Sequence, residues 1–328
     1  MKTKEIPYMN ILFISTGSRC KVMESTKFID AIINKQKLIC NEIYKIQPVN
    51  IEYIILTIIT NKPNMDIFSC IKSLNIKVYP INAETYLILK DECFNLIINY
   101  SSLELSNSLV NELKRLNSLH SPIIRNINHD EYYFEKPKHP IDYVHQKIKK
   151  DSYDLLIGIN IGEDEHPTMK PEVSFFSNLI KKLSSISCKF VLFGTDNNIL
   201  RLKMLMGKIN YDTRNIESRI ISCVGWLNEI DLLSQAIDLC DIFISHVSYS
   251  MYLSLALKKE TVCLLCNSQY NVENTQLYLH QIKSDNDVRC FPCQKYECEV
   301  MSSDNYTDAC FSSIPIQEVV VAVRNLLS

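Results

Sequence analysis

No stretch of the sequence reaches the roughly 18 consecutive apolar residues of a membrane span. The opening segment MKTKEIPYMN also lacks a signal-peptide core. A cytoplasmic protein with at most peripheral membrane contact is therefore expected. Nor is there a surplus of charge. A formal net charge of -2 argues against a general nucleic-acid binder, whose phosphate-tracking surface leaves a basic excess. The lysines at 136, 138, 147, 149 and 150 read as a solvated stretch. Six glycines in 328 residues lie well below the about 7 % of an average chain, so those retained should mark backbone needs. Gly17, Gly162, Gly194 and Gly225 each follow an apolar run, where a strand leaves a sheet edge. The thirteen cysteines are odd in number and scattered, which argues against a disulfide framework. Most, including Cys40, Cys70, Cys188, Cys223, Cys240 and Cys263, sit in or beside apolar runs, where a thiol acts as a small hydrophobe.

What remains is a chain with 46 % apolar and 22 % charged residues, the balance of a globular protein too long for one core. Apolar runs of strand length alternate with segments of helical spacing. In the first half the strands are Asn10–Ile14, Tyr53–Ile59, Ile76–Ile81, Asn95–Ile98 and Pro122–Ile124, with helices over Val22–Lys35 and Leu103–Leu116. The pattern lapses between His129 and Tyr153. It resumes with strands at Asp154–Asn160, Lys189–Phe193, Arg219–Cys223, Asp241–Ile244 and Thr261–Leu265. The helices between them are Glu172–Ser184, Asn198–Lys208, Asn228–Ile237 and Ser248–Leu257, and a last one is expected over Ile316–Leu327. Such alternation predicts α/β doubly wound sheets. Two in tandem fit the GT-B architecture of two Rossmann-like domains facing a cleft, with domains 1–148 and 149–328.

The segment Cys240–Cys266 is one β-α-β unit. Its strand-to-helix turn, capped by Ser248, offers unpaired N–H groups and a helix dipole to a phosphate. The same segment resembles the donor-binding segment of glycosyltransferase family 9, the lipopolysaccharide heptosyltransferases. There an apolar strand leads to Asp-Ser-Gly-x-x-His and an Ala-rich helix. Val247, Tyr249 and Tyr252 stand at the family's Asp, Gly and His positions, and Ser248 keeps its serine. Asp154–Asn160, Phe190–Gly194 and Gly225–Ile230 resemble further strands and turns of the family's donor domain.

The resemblance implies an inverting glycosyltransferase that needs no cofactor. It would move a heptose or related sugar from a nucleotide-diphosphate donor to a lipopolysaccharide or other surface-glycan acceptor. The lost motif residues equally fit a catalytically degenerate member acting as a binding or partner subunit. For the donor, the implied partners are Ser248, Lys170 and Gly194, with Tyr249 and Tyr252 either stacking on the ligand or packing in the core. Arg201 and Asp196, beyond Gly194, lie near the same edge, and Trp226 follows a strand. On the acceptor side the turn is Gly17 and Ser18. The family's base, an aspartate, aligns with Lys21, no ready base at neutral pH. Glu24, one helical turn on, is then either the general base or a solvated first-turn carboxylate. The resemblance also implies that the final helix returns to the first domain. Cys290, Cys293, Cys298 and Cys310 can close a tetrahedral zinc or iron site, or be packed or redox-active thiols.

Overall fold

The computed structural model describes residues 9–16, 18–34, 54–89, 92, 94, 96–100, 123–124, 134–137, 139–148, 155–162, 172–212, 216–225, 229–265, 277–284 and 314–327. The chain divides into two compact units, Met1–Glu135 and Lys136–Ser328.

In the first unit, strands β1 (Met9–Ile14), β2 (Ile54–Thr60), β3 (Asn75–Pro80), β4 (Leu96–Asn99) and β5 (Ile123–Ile124) form one parallel sheet of order β3-β2-β1-β4-β5. Helices α1 (Arg19–Ser25), α2 (Lys27–Asn34), α3 (Met65–Ser69) and α4 (Ala83–Leu89) are described around it. Side chains alternate across β1, as strand geometry requires. Leu12 and Ile14 join a core with Ile59, Leu89 and Ile97. Phe13 points to the other face, with Phe28 at 5.8 Å and Phe68 edge-on at 5.9 Å between ring centroids.

The single helix expected over residues 22–35 is two. Ser25 Oγ donates to the Val22 carbonyl at 2.6 Å and Thr26 Oγ1 to that of Met23 at 2.7 Å. Adjacent hydroxyls bonding back to the preceding turn compete with the backbone ladder and bend it. The helix expected over 103–116 lies outside the described residues.

The second unit carries α5 (Asp142–Ile148), β6 (Leu155–Asn160), α6 (Val173–Leu183), β7 (Cys188–Phe193), α7 (Ile199–Asp212), β8 (Ile220–Ser222), α8 (Ile230–Leu239), β9 (Ile242–His246), α9 (Tyr249–Ala256), β10 (Glu260–Leu265), β11 (Leu279–Lys283) and α10 (Ile316–Leu327). Its six strands are parallel, in the order β11-β10-β9-β6-β7-β8. One face holds Ile157, Ile159, Phe190, Leu192, Ile242 and Ile244 under Phe176, Leu179 and Ile180 of α6. On the other face Phe193 and Phe243 meet edge to face at 5.3 Å. Gly158 makes room for them, since a Cβ there would lie 2.7 Å from Phe243 Cδ2 and 3.2 Å from Phe193 Cε2.

The boundary expected at residue 148 falls instead after Glu135. Glu135 accepts from the backbone N–H groups of Lys72 (2.6 Å) and Ser73 (2.8 Å) in the first unit, while Lys136 pairs with Asp238 at 2.7 Å in the second. Gln235 of α8 then receives the Ile141 N–H and donates to the His139 carbonyl, which seats α5 on the second unit. The closing helix α10, for which a return to the first domain was implied, packs into the second unit's core through Val319, Val320 and Val323. The strand β11 was not foreseen. Its sequence, LHQIK, is short and half polar, and all but Ile282 stay partly or fully accessible at the sheet edge.

Candidate functional site

In a doubly wound sheet, ligands bind beyond the carboxyl ends of the strands, where the strand order reverses. The second sheet reverses between β6 and β9, because β6 leads outward to β7 and β8 while β9 returns to its other side and leads to β10 and β11. The first reverses between β1 and β4. Both reversals coincide with turns that the sequence singles out.

At the β6/β9 edge the turn after His246 enters α9, and Ser248 is its N-cap. The Ser248 backbone is extended (φ -158°, ψ 167°), and its Oγ accepts the Met251 N–H at 3.2 Å. Asn160, the last residue of β6, crosses to this turn. Its Nδ2 lies 3.1 Å from Ser245 Oγ, 3.1 Å from Ser248 Oγ and 2.9 Å from Ser250 Oγ, and its Oδ1 accepts the Gly162 N–H at 3.0 Å. Ser245 in turn donates to the His246 carbonyl at 2.8 Å. All four side chains are buried, and none is ionisable. A buried polar group costs free energy unless bonded, so this cluster fixes one conformation of the turn. The sequence signal for Asn160 was a lone amide closing an otherwise apolar strand. In the sequence it marks a strand end and nothing more.

The helix that follows is buried on every side, from Tyr249 to Ala256. Tyr249 is 6 % and Tyr252 2 % exposed, and Val247 is buried as well. Of the two readings of these rings, stacking on the ligand or packing in the core, their burial around the turn fits the second.

Gly194 ends β7. A Cβ at Gly194 would lie 3.2 Å from Asn198 Cβ and 3.3 Å from the Gly162 carbonyl oxygen, and Gly225 donates its N–H to the Gly194 carbonyl at 3.0 Å. The exits of β6 and β7 therefore close around Asn198, whose Oδ1 accepts from Thr195 N at 2.9 Å, and a Cβ at Gly225, beyond β8, would lie 2.8 Å from Asp196 Oδ1. Gly225 has φ +77°, a left-handed conformation that glycine alone adopts without strain. Beside this row, the Arg201 guanidinium lies 5.7 Å from the Phe176 ring centroid. Burial lowers its pKa to about 10, opposed by the charge of Glu172. Asp196 opens a single 3-10 turn, Asp196–Asn198, at the same edge.

At the β1/β4 edge, Ser18 caps α1, accepting the Lys21 N–H at 3.4 Å. Ser15 and Ser25 share a hydrogen bond behind it. The Tyr100 N–H, just past β4, donates to the Ile14 carbonyl at 2.8 Å. Glu24 is half-buried on α1, and Lys21 is exposed. Arg19 makes a bidentate pair with Asp66 at 2.8 and 3.2 Å, which ties α1 to α3.

Gly17, Lys170, Trp226 and the cysteines 290, 293, 298 and 310 lie outside the described residues. Among the described residues no group of three or more His, Cys, Asp or Glu side chains could hold a metal ion. Likewise, no described helix is long and apolar enough to cross a membrane.

No family model matches the chain, and no curated protein matches it by sequence. Solved structures do. A glycosyltransferase of family 9 from Veillonella parvula has a TM-score of 0.70 at 14 % identity over 98 % of both chains. An ADP-heptose lipopolysaccharide heptosyltransferase II from E. coli gives 0.66 at 14 % identity, over 97 % of this chain and 98 % of its own. TibC, an iron-containing dodecameric glycosyltransferase from enterotoxigenic E. coli, gives 0.56 at 9 % identity, over 98 % of this chain and 76 % of its own. The chain thus has the fold of these proteins, the GT-B class of two Rossmann-like units, as its alternating pattern led one to expect.

Proposed function

We propose that this chain, built on the fold of the family 9 glycosyltransferases, is an inverting glycosyltransferase of the heptosyltransferase type. The carrying observation is that the Ser248 turn, the one motif residue kept in place, stands at the strand-order reversal of the second sheet, where such folds take their ligands. The second unit binds a nucleotide-diphosphate sugar, with the diphosphate against the Ser248 turn and Lys170 as its cation. The first unit receives the acceptor, a lipopolysaccharide or other surface glycan, at the turn of Gly17 and Ser18. The protein works in the cytoplasm.

The reaction is a single displacement. An acceptor hydroxyl oxygen forms a bond to the anomeric carbon as the bond from that carbon to the diphosphate oxygen breaks, and the electron pair leaves with the diphosphate. Glu24 takes the hydroxyl proton. The N–H groups that open α9 stabilise the departing charge, so no metal is required for the step. The four cysteines of the tail would serve as a structural zinc or iron site. Elemental analysis of protein purified without chelator, finding no stoichiometric metal, would remove that assignment.

A second reading is favoured by Val247 and Tyr252, buried apolar or aromatic side chains where the family motif has Asp and His. On that reading the protein binds a nucleotide sugar or a partner without turnover. Nucleotide release from ADP-heptose and other nucleotide sugars, with surface-glycan acceptors supplied, decides between them. Acceptor-dependent release supports the transferase. Donor binding without release under any acceptor supports the binding subunit.

A further inference from the structure

The Asn160 cluster does more than fill space at the reversal of the second sheet. An amide nitrogen has two protons, yet Asn160 Nδ2 lies within 3.1 Å of three hydroxyl oxygens, on Ser245, Ser248 and Ser250. The hydroxyls also bond each other, Ser245 to Ser248 at 2.9 Å and Ser248 to Ser250 at 3.2 Å. Ser245 gives its own proton to the His246 carbonyl. The cluster therefore carries more than one proton arrangement around a single set of heavy-atom positions. It is also built almost wholly of donors pointed at hydroxyl oxygens, with no carboxylate among them. The one acceptor on Asn160, Oδ1, is used two residues along its own strand exit, by Gly162 N–H. One side chain thus ties two chain segments of this sheet edge together. It fixes the exit of β6 through Gly162, and the entrance of α9 through Ser248 and Ser250.

We infer that Asn160 is a positioning residue for the phosphates of a nucleoside diphosphate. It sets the direction of the first N–H groups of α9 without touching the ligand. The inference rests on the donor reading given above. At 1 % exposure Asn160 is closed to a ligand, so its effect must pass through the turn. Donors already aimed in the free protein bind an anion without a reorganisation cost. Their loss should appear in phosphate binding and leave recognition of the nucleoside alone.

The test is calorimetric titration of the full chain with ADP, GDP, UDP, CDP and dTDP, and with the nucleoside matching whichever diphosphate binds. Asn160→Ala should weaken the diphosphate by about tenfold or more while leaving the nucleoside within about twofold. A residue of purely structural role would lower the melting temperature and leave both affinities of the folded protein alone. Ser245→Ala is the milder variant and decides if Asn160→Ala does not fold. It removes one hydroxyl from the cluster and should weaken the diphosphate by about threefold, again without changing the nucleoside. Unchanged diphosphate affinity in the folded variant overturns the positioning role and leaves the donor reading standing. Failure of the wild type to bind any of the five diphosphates overturns both.

Discussion

Ser15 and Ser25 meet hydroxyl to hydroxyl at 2.7 Å, both fully buried, and so tie the residue after β1 to the end of α1. The direction of this bond follows from proton counting. Ser25 spends its one proton on the Val22 carbonyl at 2.6 Å, so Ser15 is the donor and Ser25 the acceptor. Glu24 sits between Met23 and Ser25, both at 0 % exposure. Ser25→Ala leaves the Ser15 hydroxyl buried without its acceptor. It should cost roughly 1–3 kcal/mol, read as a lower urea midpoint at unchanged slope.

Glu24→Gln tests the proposed base directly. The amide keeps size and loses the ability to take a proton, so acceptor-dependent turnover should fall by roughly 100-fold or more. Affinity for the nucleotide-sugar donor should remain nearly unchanged, because the base acts on the acceptor. A variant with full turnover would place the base elsewhere.

Ser248→Ala removes the N-cap of α9 and one node of the Asn160 cluster. Loss of such a cap costs about 1 kcal/mol. If the diphosphate lies against this turn, donor affinity should drop by about five- to tenfold, with the rate at saturating donor less affected. Equilibrium titration of wild type and variant with the same donor distinguishes this from a general loss of stability.

The shortage of glycine makes a paired prediction at two positions. Gly158 is needed, since a Cβ would meet Phe243 Cδ2 at 2.7 Å and Cys240 Sγ at 3.0 Å. Gly158→Ala should therefore destabilise by about 1–3 kcal/mol. At Lys258 the opposite holds. It has φ 59° just after the α9 C-cap, and its N–H donates to the Leu255 carbonyl at 2.9 Å, in a place where glycine is the usual residue. Lys258→Gly should stabilise by up to about 1 kcal/mol, and denaturant unfolding of both variants checks the two signs together.

The strands were legible because buried parallel strands are continuous apolar runs, and Ile11 to Ile14 or Phe190 to Phe193 can be little else. Helix α9 was legible from Ser248 and its spacing, although its burial on all sides was not, since one sequence does not show how many neighbours a helix has. The edge strand β11 was hidden because only Ile282 is fully buried. The break at Thr26 was hidden in two hydroxyls that bond backward, a choice that composition does not fix. Asn160 was missed for a related reason. Its three serine partners lie 85, 88 and 90 residues away, and only the β6–β9 pairing brings them together. The boundary was misplaced because Glu135 and Lys136 are neighbours in sequence that bond into different units.

Alkaline pH should expose the buried thiols. Cys223 is 2 % exposed, and burial pushes its pKa from 9.0 up to about 12, partly opposed by the charge of Lys147. Burial also raises Cys263, and it raises Cys188 against the opposing Arg219. A raised thiol pKa means that the folded state holds the proton longer. Below about pH 8 both states are protonated and these groups leave stability unchanged. Between 9 and 12 the unfolded chain has shed the proton that native Cys223 keeps, so the unfolded state binds fewer protons and stability falls as pH rises. The slope from one such group approaches roughly 1.4 kcal/mol per pH unit. Lysines and tyrosines titrate in the same range, so the measurement is a difference between unfolding free energies of wild type and Cys223→Ala from pH 8 to 11. The variant should start lower, having lost a buried side chain, and then lose stability less steeply, so that the gap narrows as pH rises. Curves that stay parallel would mean that the Cys223 thiol ionises as freely in the folded protein as in the unfolded chain.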